Sequence, residues 1–338
     1  MDFKKNTILG RVLWVDKNII YKSLGRNLYC STDNGTSWKF RASLPISNFK
    51  SLALYNNILS RFFRAGFHHL HVFDDNSLIV FGNSGIYQLK NKESKFSFIC
   101  SMKSSKPLII SVNNNIIMYG EYSRNRDRKP IPLYLSDDRG LTWKIIHTFK
   151  DIRHIHGVFF DKFTNQYWIT TGDSDKESSI WRTDINFLHF EKVLTGSQKY
   201  RAVQLIFDPL FIYFGSDAPD EANFIYRFCR ETKIVESLCQ VDAPVFFGTR
   251  IKNQIFFTTA IEKSLYKTIR SANIWSSKDG KVWINPIRLK KSKLPLRIFQ
   301  NGQILFPAGP GDEKNLWFWS IATEGDNRSY FTKLNEIS

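Results

Sequence analysis

The chain has 338 residues, of which 42% are hydrophobic and 23% charged, and its formal net charge is +17. No apolar run approaches the roughly 20 residues of a transmembrane helix, so we predict no membrane partner. The chain starts without the apolar segment of a secretory signal, which predicts a cytoplasmic protein. Its four cysteines lack metal-like spacing, which predicts free thiols in a reducing compartment.

A two-residue phrase, an aliphatic residue followed by an aromatic one, recurs seven times along the chain. Its copies are Leu28-Tyr29, Ile86-Tyr87, Leu133-Tyr134, Ile180-Trp181, Ile225-Tyr226, Ile274-Trp275 and Leu316-Trp317. Their spacing of 42 to 58 residues is typical of the blades of a β-propeller. We therefore predict an all-β fold, a seven-bladed β-propeller with four-stranded antiparallel blades. Residues 1–338 would form this single domain, with about 48 residues per blade.

Three of the phrases are followed by a polar turn that ends in tryptophan, at residues 31–38, 136–143 and, one residue shorter, 277–283. Serine and aspartate can bond the backbone of their own turn, and glycine accepts the positive φ that closes it. These turns resemble the Asp-box, Ser-x-Asp-x-Gly-x-Thr-Trp, of the sialidase-like (BNR-repeat) propellers. The resemblance implies a scaffold and leaves the chemistry open.

In chain order, each blade is predicted to run from an inner first strand to an outer fourth strand. Blade 1 starts with residues 8–15 as one strand. Blade 7 has residues 296–299 as its first strand and 304–307 as its second. The loops that enter first strands and those that join second to third strands should meet at one mouth of the tunnel. Polar residues on these loops come chiefly from blades 2 to 6, which predicts an off-centre site.

The predicted first strand of blade 4 contains Arg153-His154-Ile155-His156. Strand alternation places the two histidines on one face and Ile155 on the other. Two imidazoles on one face can bind a divalent metal or share proton transfer. His68 or His69 on blade 2, with Gln198 or Gln204, could complete either arrangement. The alternative is a pair of histidines that are only hydrogen-bonded around the tunnel.

Carboxylates follow the predicted second strands of three consecutive blades. They are Glu121, Asp173 and Asp217, and each comes shortly after a glycine. Glycoside hydrolysis requires two carboxylates that flank the scissile bond, although loop acids of this kind are often simply solvated. Sialidases also use a Tyr–Glu nucleophile pair. The tyrosine candidates for this role are Tyr122, Tyr200 and Tyr266.

Substrate-binding candidates lie on or beside the predicted first strands. They are Arg64, Arg153, Arg201, Gln204 and Arg250. An unpaired guanidinium there is costly, so the arginines either pair with the mouth carboxylates or bind a substrate carboxylate bidentately. Sialidases use an arginine triad in the second way, but this chain lacks their Arg-Ile-Pro motif. The histidine-rich mouth is also similar to propeller polysaccharide lyases, which combine histidine, tyrosine and a carboxylate-neutralising arginine.

We predict an enzyme that cleaves an acidic glycan as a sialidase-like glycoside hydrolase. The alternatives are a polysaccharide lyase that acts on a uronic-acid glycan and a non-catalytic propeller that binds a partner or assists assembly. The positive charge suits an acidic oligosaccharide or polysaccharide. Its two basic clusters, residues 124–129 and 290–293, lack the interleaved aromatics of a single-strand groove, so we predict no nucleic-acid partner.

Overall fold

The computed structural model describes residues 6–46, 66–82, 85–102, 106–264, 268–293 and 301–337. These residues form 28 strands and two short 3-10 helices, Gln198–Tyr200 and Leu334–Glu336. The strands make seven four-stranded antiparallel sheets, which confirms the predicted seven-bladed β-propeller. Within the same residues, no helix is long and apolar enough to span a membrane.

The first strand along the chain, β1 (Thr7–Leu9), belongs to blade 7. Blade 1 contains β2 (Arg11–Val15), β3 (Ile20–Leu24), β4 (Asn27–Ser31) and β5 (Lys39–Ser43). Blade 2 contains β6 (Phe67–Val72), β7 (Leu78–Gly82), β8 (Gly85–Leu89) and β9 (Ser97–Ser101). Blade 3 contains β10 (Ser111–Asn113), β11 (Ile116–Gly120), β12 (Ile131–Ser136) and β13 (Lys144–Phe149).

Blades 4 to 7 follow with the same order from the tunnel outwards. Blade 4 contains β14 (His154–Asp161), β15 (Gln166–Gly172), β16 (Ser179–Thr183) and β17 (Phe190–Thr195). Blade 5 contains β18 (Ala202–Phe207), β19 (Phe211–Ser216), β20 (Asn223–Cys229) and β21 (Val235–Val241). Blade 6 contains β22 (Val245–Ile251), β23 (Gln254–Thr259), β24 (Ser271–Ser277) and β25 (Ile284–Lys290). Blade 7 contains β26 (Gln303–Leu305), β27 (Asn315–Ile321) and β28 (Arg328–Lys333).

The ring closes through the two ends of the chain. β1 pairs antiparallel with β28, Thr7 lying opposite Tyr330, and so supplies the outermost strand of blade 7. The prediction that residues 8–15 form one inner strand is therefore wrong. Gly10, at φ +102°, turns the chain between β1 and β2, and an added Cβ there would meet the carbonyl oxygen of Ser23 at 2.5 Å.

The prediction for blade 7 is shifted by one strand. Ile304 lies in β26, the innermost strand described for this blade, whereas the sequence predicted a second strand there. Leu316-Trp317 consequently belongs to the second strand of its sheet, and in the other six blades the phrase lies in the third. The predicted first strand, residues 296–299, falls outside the described residues.

The core is divided among the interfaces between neighbouring blades. Each of the seven interfaces, that between blades 7 and 1 included, holds a cluster of buried apolar side chains from both blades. Second strands such as β7 and β23 are buried on both faces, whereas the outer strand β17 is largely exposed. This explains why apolar runs mark the inner strands, since both faces of a blade pack against a neighbour.

The aliphatic–aromatic phrase marks a β-bulge. In blades 1 to 6, the register between the third and fourth strands shifts at the phrase, as it does at Ile180-Trp181. The aliphatic residue is buried in every blade, with Ile180 only 1% exposed. A bulge adds one residue to one strand and increases the local twist. The phrase therefore recurs where each of these blades bends its outer strand.

The polar turns lie between the third and fourth strands of their blades. In the first, Asp33 accepts the N–H of Ser37 at 2.9 Å, and the indole N–H of Trp38 donates to the carbonyl of Gly35 at 3.0 Å. The shortened turn lacks the hydrogen bond of the tryptophan. The indole nitrogen of Trp283 is buried without a hydrogen-bond partner among the described residues. These turns stabilise the face opposite the mouth.

Candidate functional site

Loops from six blades surround a cavity of about 580 Å³ at one mouth of the tunnel. Its lining includes Tyr122, His154, Asp173 and Glu262, which come from blades 3, 4 and 6. These residues lie where a first strand begins or just after a second strand ends. The geometry that we predicted for the mouth therefore agrees with the structure.

Three side chains of blade 4 meet at this mouth. Nε2 of His154 lies 3.1 Å from Nε2 of His156 and 3.2 Å from Oδ1 of Asp173. The third side of the triangle, from Nε2 of His156 to Oδ1 of Asp173, measures 3.4 Å. Among the described residues, this is the group of three or more His, Cys, Asp or Glu side chains that could hold a metal ion. We call it the His–His–Asp triad.

The backbone of blade 4 brings the triad together. The pairing of β14 with β15 shifts register between Ile155 and Gly157, so a bulge turns His156 towards His154. Strand alternation alone would leave two such side chains farther apart. Gly172 leaves the room that the ring needs, because a Cβ there would meet Cε1 of His156 at 2.6 Å.

Backbone carbonyls determine which ring nitrogens carry hydrogen. Nδ1 of His154 lies 2.9 Å from the carbonyl oxygen of Ser123, and Nδ1 of His156 lies 3.0 Å from that of Ala202. A carbonyl oxygen only accepts, so both Nδ1 atoms donate, and the two Nε2 atoms are the ones left to face Asp173. Burial lowers the pKa of His156, which keeps this ring neutral near pH 7. Two ring nitrogens and one carboxylate oxygen thus face one another, and a cation bound between them would take the place of a proton.

Asp173 is held as a carboxylate by several partners. Arg153 donates to its Oδ2 at 2.8 Å, and Arg201 lies 3.2 Å from its Oδ1. Burial alone would raise the pKa of Asp173, but its contacts with the two histidines and the charge of Arg201 hold that pKa well below the usual range. Glu177 also fixes the loop, because its carboxylate accepts the backbone N–H of Asp173 at 3.0 Å.

A second acidic group lies beside the triad. Asp217 is only 3% exposed; its Oδ2 accepts from Nε of Arg201 at 3.2 Å, whereas its Oδ1 is buried without a hydrogen-bond partner among the described residues. Burial raises the pKa of Asp217 well above its ordinary value, and burial likewise raises the pKa of Glu262. Glu262 accepts a hydrogen bond from Asn301 at 2.6 Å. The pKa of Asp173 is thus lowered, whereas those of Asp217 and Glu262 are raised, and a raised pKa makes an ionised Glu262 a stronger base.

Tyr122 joins the two groups. Its ring centroid lies 4.3 Å from that of His154. Burial, together with the nearby carboxylates of Asp217, Asp173 and Glu262, raises the pKa of the Tyr122 hydroxyl, so the phenol stays protonated near pH 7. A protonated phenol in a cavity of this kind can donate a proton to a bound ligand.

Residues 17–193, just over half of the chain, match the family described as the DUF6242 beta propeller domain. The chain belongs to this family. The match extends from blade 1 to the outer strand of blade 4, so it includes the triad of this DUF6242 propeller. No curated protein matches the sequence.

Solved structures with a similar fold include two oligogalacturonate lyases. The lyase of Vibrio parahaemolyticus has a TM-score of 0.64 at 10% identity, over 98% of this chain and 92% of that one. An oligogalacturonate lyase in complex with manganese has a TM-score of 0.64 at 10% identity, over 97% and 90%. A chain of the mitotic checkpoint complex has a TM-score of 0.58 at 13% identity, over 99% and 90%. At these identities the likeness shows the propeller fold alone.

The predicted site residues separate into two groups. Those that the structure brings together are His154, His156, Asp173, Asp217, Arg153 and Arg201. The two arginines pair with the carboxylates, which is one of the two roles that the sequence left open for them. Arg64 and Tyr266 fall outside the described residues.

Other candidates lie away from the triad. Arg250 is at the far end of β22, where it donates to the carbonyls of Phe207 and Lys252, so its predicted place at the mouth is wrong. Gln204 lines a second cavity deeper in the tunnel, and its amide donates to the backbone of Leu205. The position of each residue along its inner strand explains why neither lies at the triad, because only the first residues of such a strand reach the mouth.

The remaining three candidates have local partners. His69 lines the mouth cavity, but its Nε2 donates to the carbonyl of Pro107 at 2.7 Å, so it does not complete the triad. Tyr200 belongs to the helix Gln198–Tyr200 and packs against the apolar cluster between blades 4 and 5. Glu121 accepts a hydrogen bond from Tyr134 of its own blade at 3.3 Å.

The expectation that blades 1 and 7 contribute little is also wrong. Arg11 of blade 1 lines the cavity, as do Asn301, Gln303 and Trp319 of blade 7. Glu262 was missed because the sequence search looked for an acid that follows a glycine. It does follow the second strand of blade 6, so the position within the blade was the signal that could have found it.

Proposed function

We propose that this propeller is a divalent-metal-dependent lyase that cleaves a short uronic-acid glycan. The observation that carries the proposal is the His–His–Asp triad. Its three potential metal-ligand atoms, two Nε2 and one Oδ1, lie 3.1, 3.2 and 3.4 Å apart. The oligogalacturonate lyases with a similar fold support the substrate class, and the manganese in one of their structures supports a metal.

The triad fits a divalent transition metal. Ligand atoms about 2.1 Å from one ion lie roughly 3.0 Å apart in an octahedron and roughly 3.4 Å apart in a tetrahedron. The three measured distances fall in this range. Two imidazoles and one carboxylate suit manganese, iron or zinc better than calcium, which prefers oxygen ligands alone. The Nδ1 bonds to the carbonyls of Ser123 and Ala202 fix both rings, as is usual for ligand histidines.

The carboxylates favour elimination over hydrolysis. Hydrolysis needs two carboxyl groups that can flank a glycosidic bond. Asp173 is bound by Arg153 and Arg201, and Asp217 is buried behind Arg201. Neither is placed to attack a sugar or to activate water beside it. The predicted hydrolase is therefore the weaker interpretation of this site.

We assign the proton transfers of the elimination to Glu262 and Tyr122, which both line the cavity. A divalent cation held by His154, His156 and Asp173 would supply positive charge that neutralises the uronate carboxylate and so acidifies the hydrogen on the adjacent carbon. Glu262 takes that proton. The electron pair of the C–H bond forms a C=C bond as the glycosidic C–O bond breaks, and Tyr122 donates its proton to the leaving oxygen.

The test uses trigalacturonate as the probe, with and without Mn²⁺. The proposal expects bound manganese in the protein and an unsaturated product that absorbs in the ultraviolet, and it expects chelation to abolish both. His154→Ala should lose metal and turnover together, whereas Glu262→Gln should keep the metal and lose turnover. New reducing ends without ultraviolet absorption would make the protein a hydrolase. Metal binding without turnover on a panel of acidic glycans would favour a binding propeller.

A further inference from the structure

Arg11 is a charged side chain in the cavity that the proposed reaction does not use. It begins β2 of blade 1, and its Nε donates to Oδ1 of Asn327 at 2.7 Å. Its guanidinium lies over the ring of Trp319, 5.1 Å from the centroid. Burial lowers the pKa of Arg11 to about 10, against the opposing effect of Asp326, so the group remains charged near pH 7. One edge and one face of the guanidinium are thus held in place.

The terminal nitrogens of Arg11 are the part of its guanidinium without a partner among the described residues. Arg11 lines the cavity wall, and within the described ranges neither Nη atom forms a hydrogen bond or ion pair. Desolvated guanidinium donors are costly when they lack an acceptor. Arg153, on the same wall, already pairs with Asp173, and Arg124 is exposed to solvent. Arg11 is therefore the half-buried cavity arginine whose terminal donors have no partner among the described residues.

We infer that Arg11 binds a carboxylate of the substrate through its two Nη groups. A guanidinium whose Nε is already bound presents two parallel donors, which match the two oxygens of a carboxylate. Trp319 beside it offers an apolar face for a sugar ring. Arg11 and the triad come from blades 1 and 4, which are three positions apart in the ring, and we assign this carboxylate to a different sugar unit from the one at the triad. This inference rests on the proposed function and narrows the substrate to glycans with acidic groups on at least two units.

The experiment compares trigalacturonate with its fully methyl-esterified form. Calorimetry on the full-length protein should show about 100-fold weaker binding of the acid by Arg11→Gln than by the wild type, the loss expected for two charge-assisted hydrogen bonds. Binding of the ester should be the same in both proteins. Arg124→Gln removes an exposed cation from the same cavity and should change the affinity less than about 3-fold.

Arg11→Lys keeps the buried charge and serves as the second variant if Arg11→Gln does not fold. It should still bind the acid about 10-fold more weakly than the wild type, because an ammonium cannot present two fixed donors. Unchanged acid affinity in either variant, or equal wild-type affinity for acid and ester, would overturn the inference. Tight binding of the acid without an unsaturated product would refute the lyase and leave the role of Arg11 standing. An unsaturated product formed by Arg11→Gln with an unchanged KM would support the lyase and refute the role of Arg11.

Discussion

Gly172→Ala should separate the metal site from the stability of the propeller. The added Cβ would lie 2.6 Å from Cε1 of His156, whereas ordinary van der Waals contact begins at 3.4 Å. His156 would have to move by about 0.8 Å, and metal ligands tolerate about 0.2 Å. We expect Mn²⁺ affinity to fall by about 10–100-fold and the free energy of unfolding to fall by about 1–3 kcal/mol.

Gly215→Ala is the matched control for this prediction. Gly215 lies near the end of β19, as Gly172 does at the end of β15, and its added Cβ would meet Cβ of Val245 at 2.4 Å. The control should lose stability by a similar amount and keep its Mn²⁺ affinity. Urea denaturation and Mn²⁺ calorimetry on both variants measure the two effects separately. Equal metal affinity in the two variants would refute the reasoning about His156.

Two further predictions concern the tryptophan turns and the buried acids. Trp143→Phe should destabilise the protein by about 1 kcal/mol more than Trp283→Phe, because Trp143 donates to a turn carbonyl at 3.0 Å and Trp283 has no such bond among the described residues. Urea denaturation measures the difference, and equal losses would contradict it. Asp217 has a raised pKa in the folded state. Its contribution to stability is therefore complete below the unfolded pKa of about 3.9 and is lost as the pH rises through the folded value. Asp217→Asn should flatten this fall in stability with pH, and an unchanged slope would contradict the assignment.

The repeat in the sequence was enough to predict the blades, because in six of the seven blades it records the same bend. Ile180-Trp181 and its counterparts in blades 1 to 6 sit at the bulge between the third and fourth strands. The closure of the ring was not predictable in the same way. It depends on the pairing of Thr7 with Tyr330, two residues at opposite ends of the chain, and no local pattern records that contact.

The histidine pair was predictable, but the distance between the rings was not. Alternation placed His154 and His156 on one face, and the bulge at His156 then brought the two Nε2 atoms to 3.1 Å. The role of Arg250 could not be predicted from its strand either. Inner strands run the whole depth of the tunnel, so a residue at the end of β22 lies far from the mouth where that strand begins.

Acidic residues occupy the same position in four of the blades, but their environments differ. Glu121, Asp173, Asp217 and Glu262 all come just after the second strand of blades 3 to 6. Their environments differ because neighbouring blades supply the partners: Arg201 of blade 5 contacts Asp173 of blade 4, and Asn301 of blade 7 bonds Glu262 of blade 6. For Asp173 and Glu262, a partner from the neighbouring blade, distant in sequence, therefore contributes to the environment of the acid. This is why a search of the sequence can find such acids by position and cannot assign their chemistry.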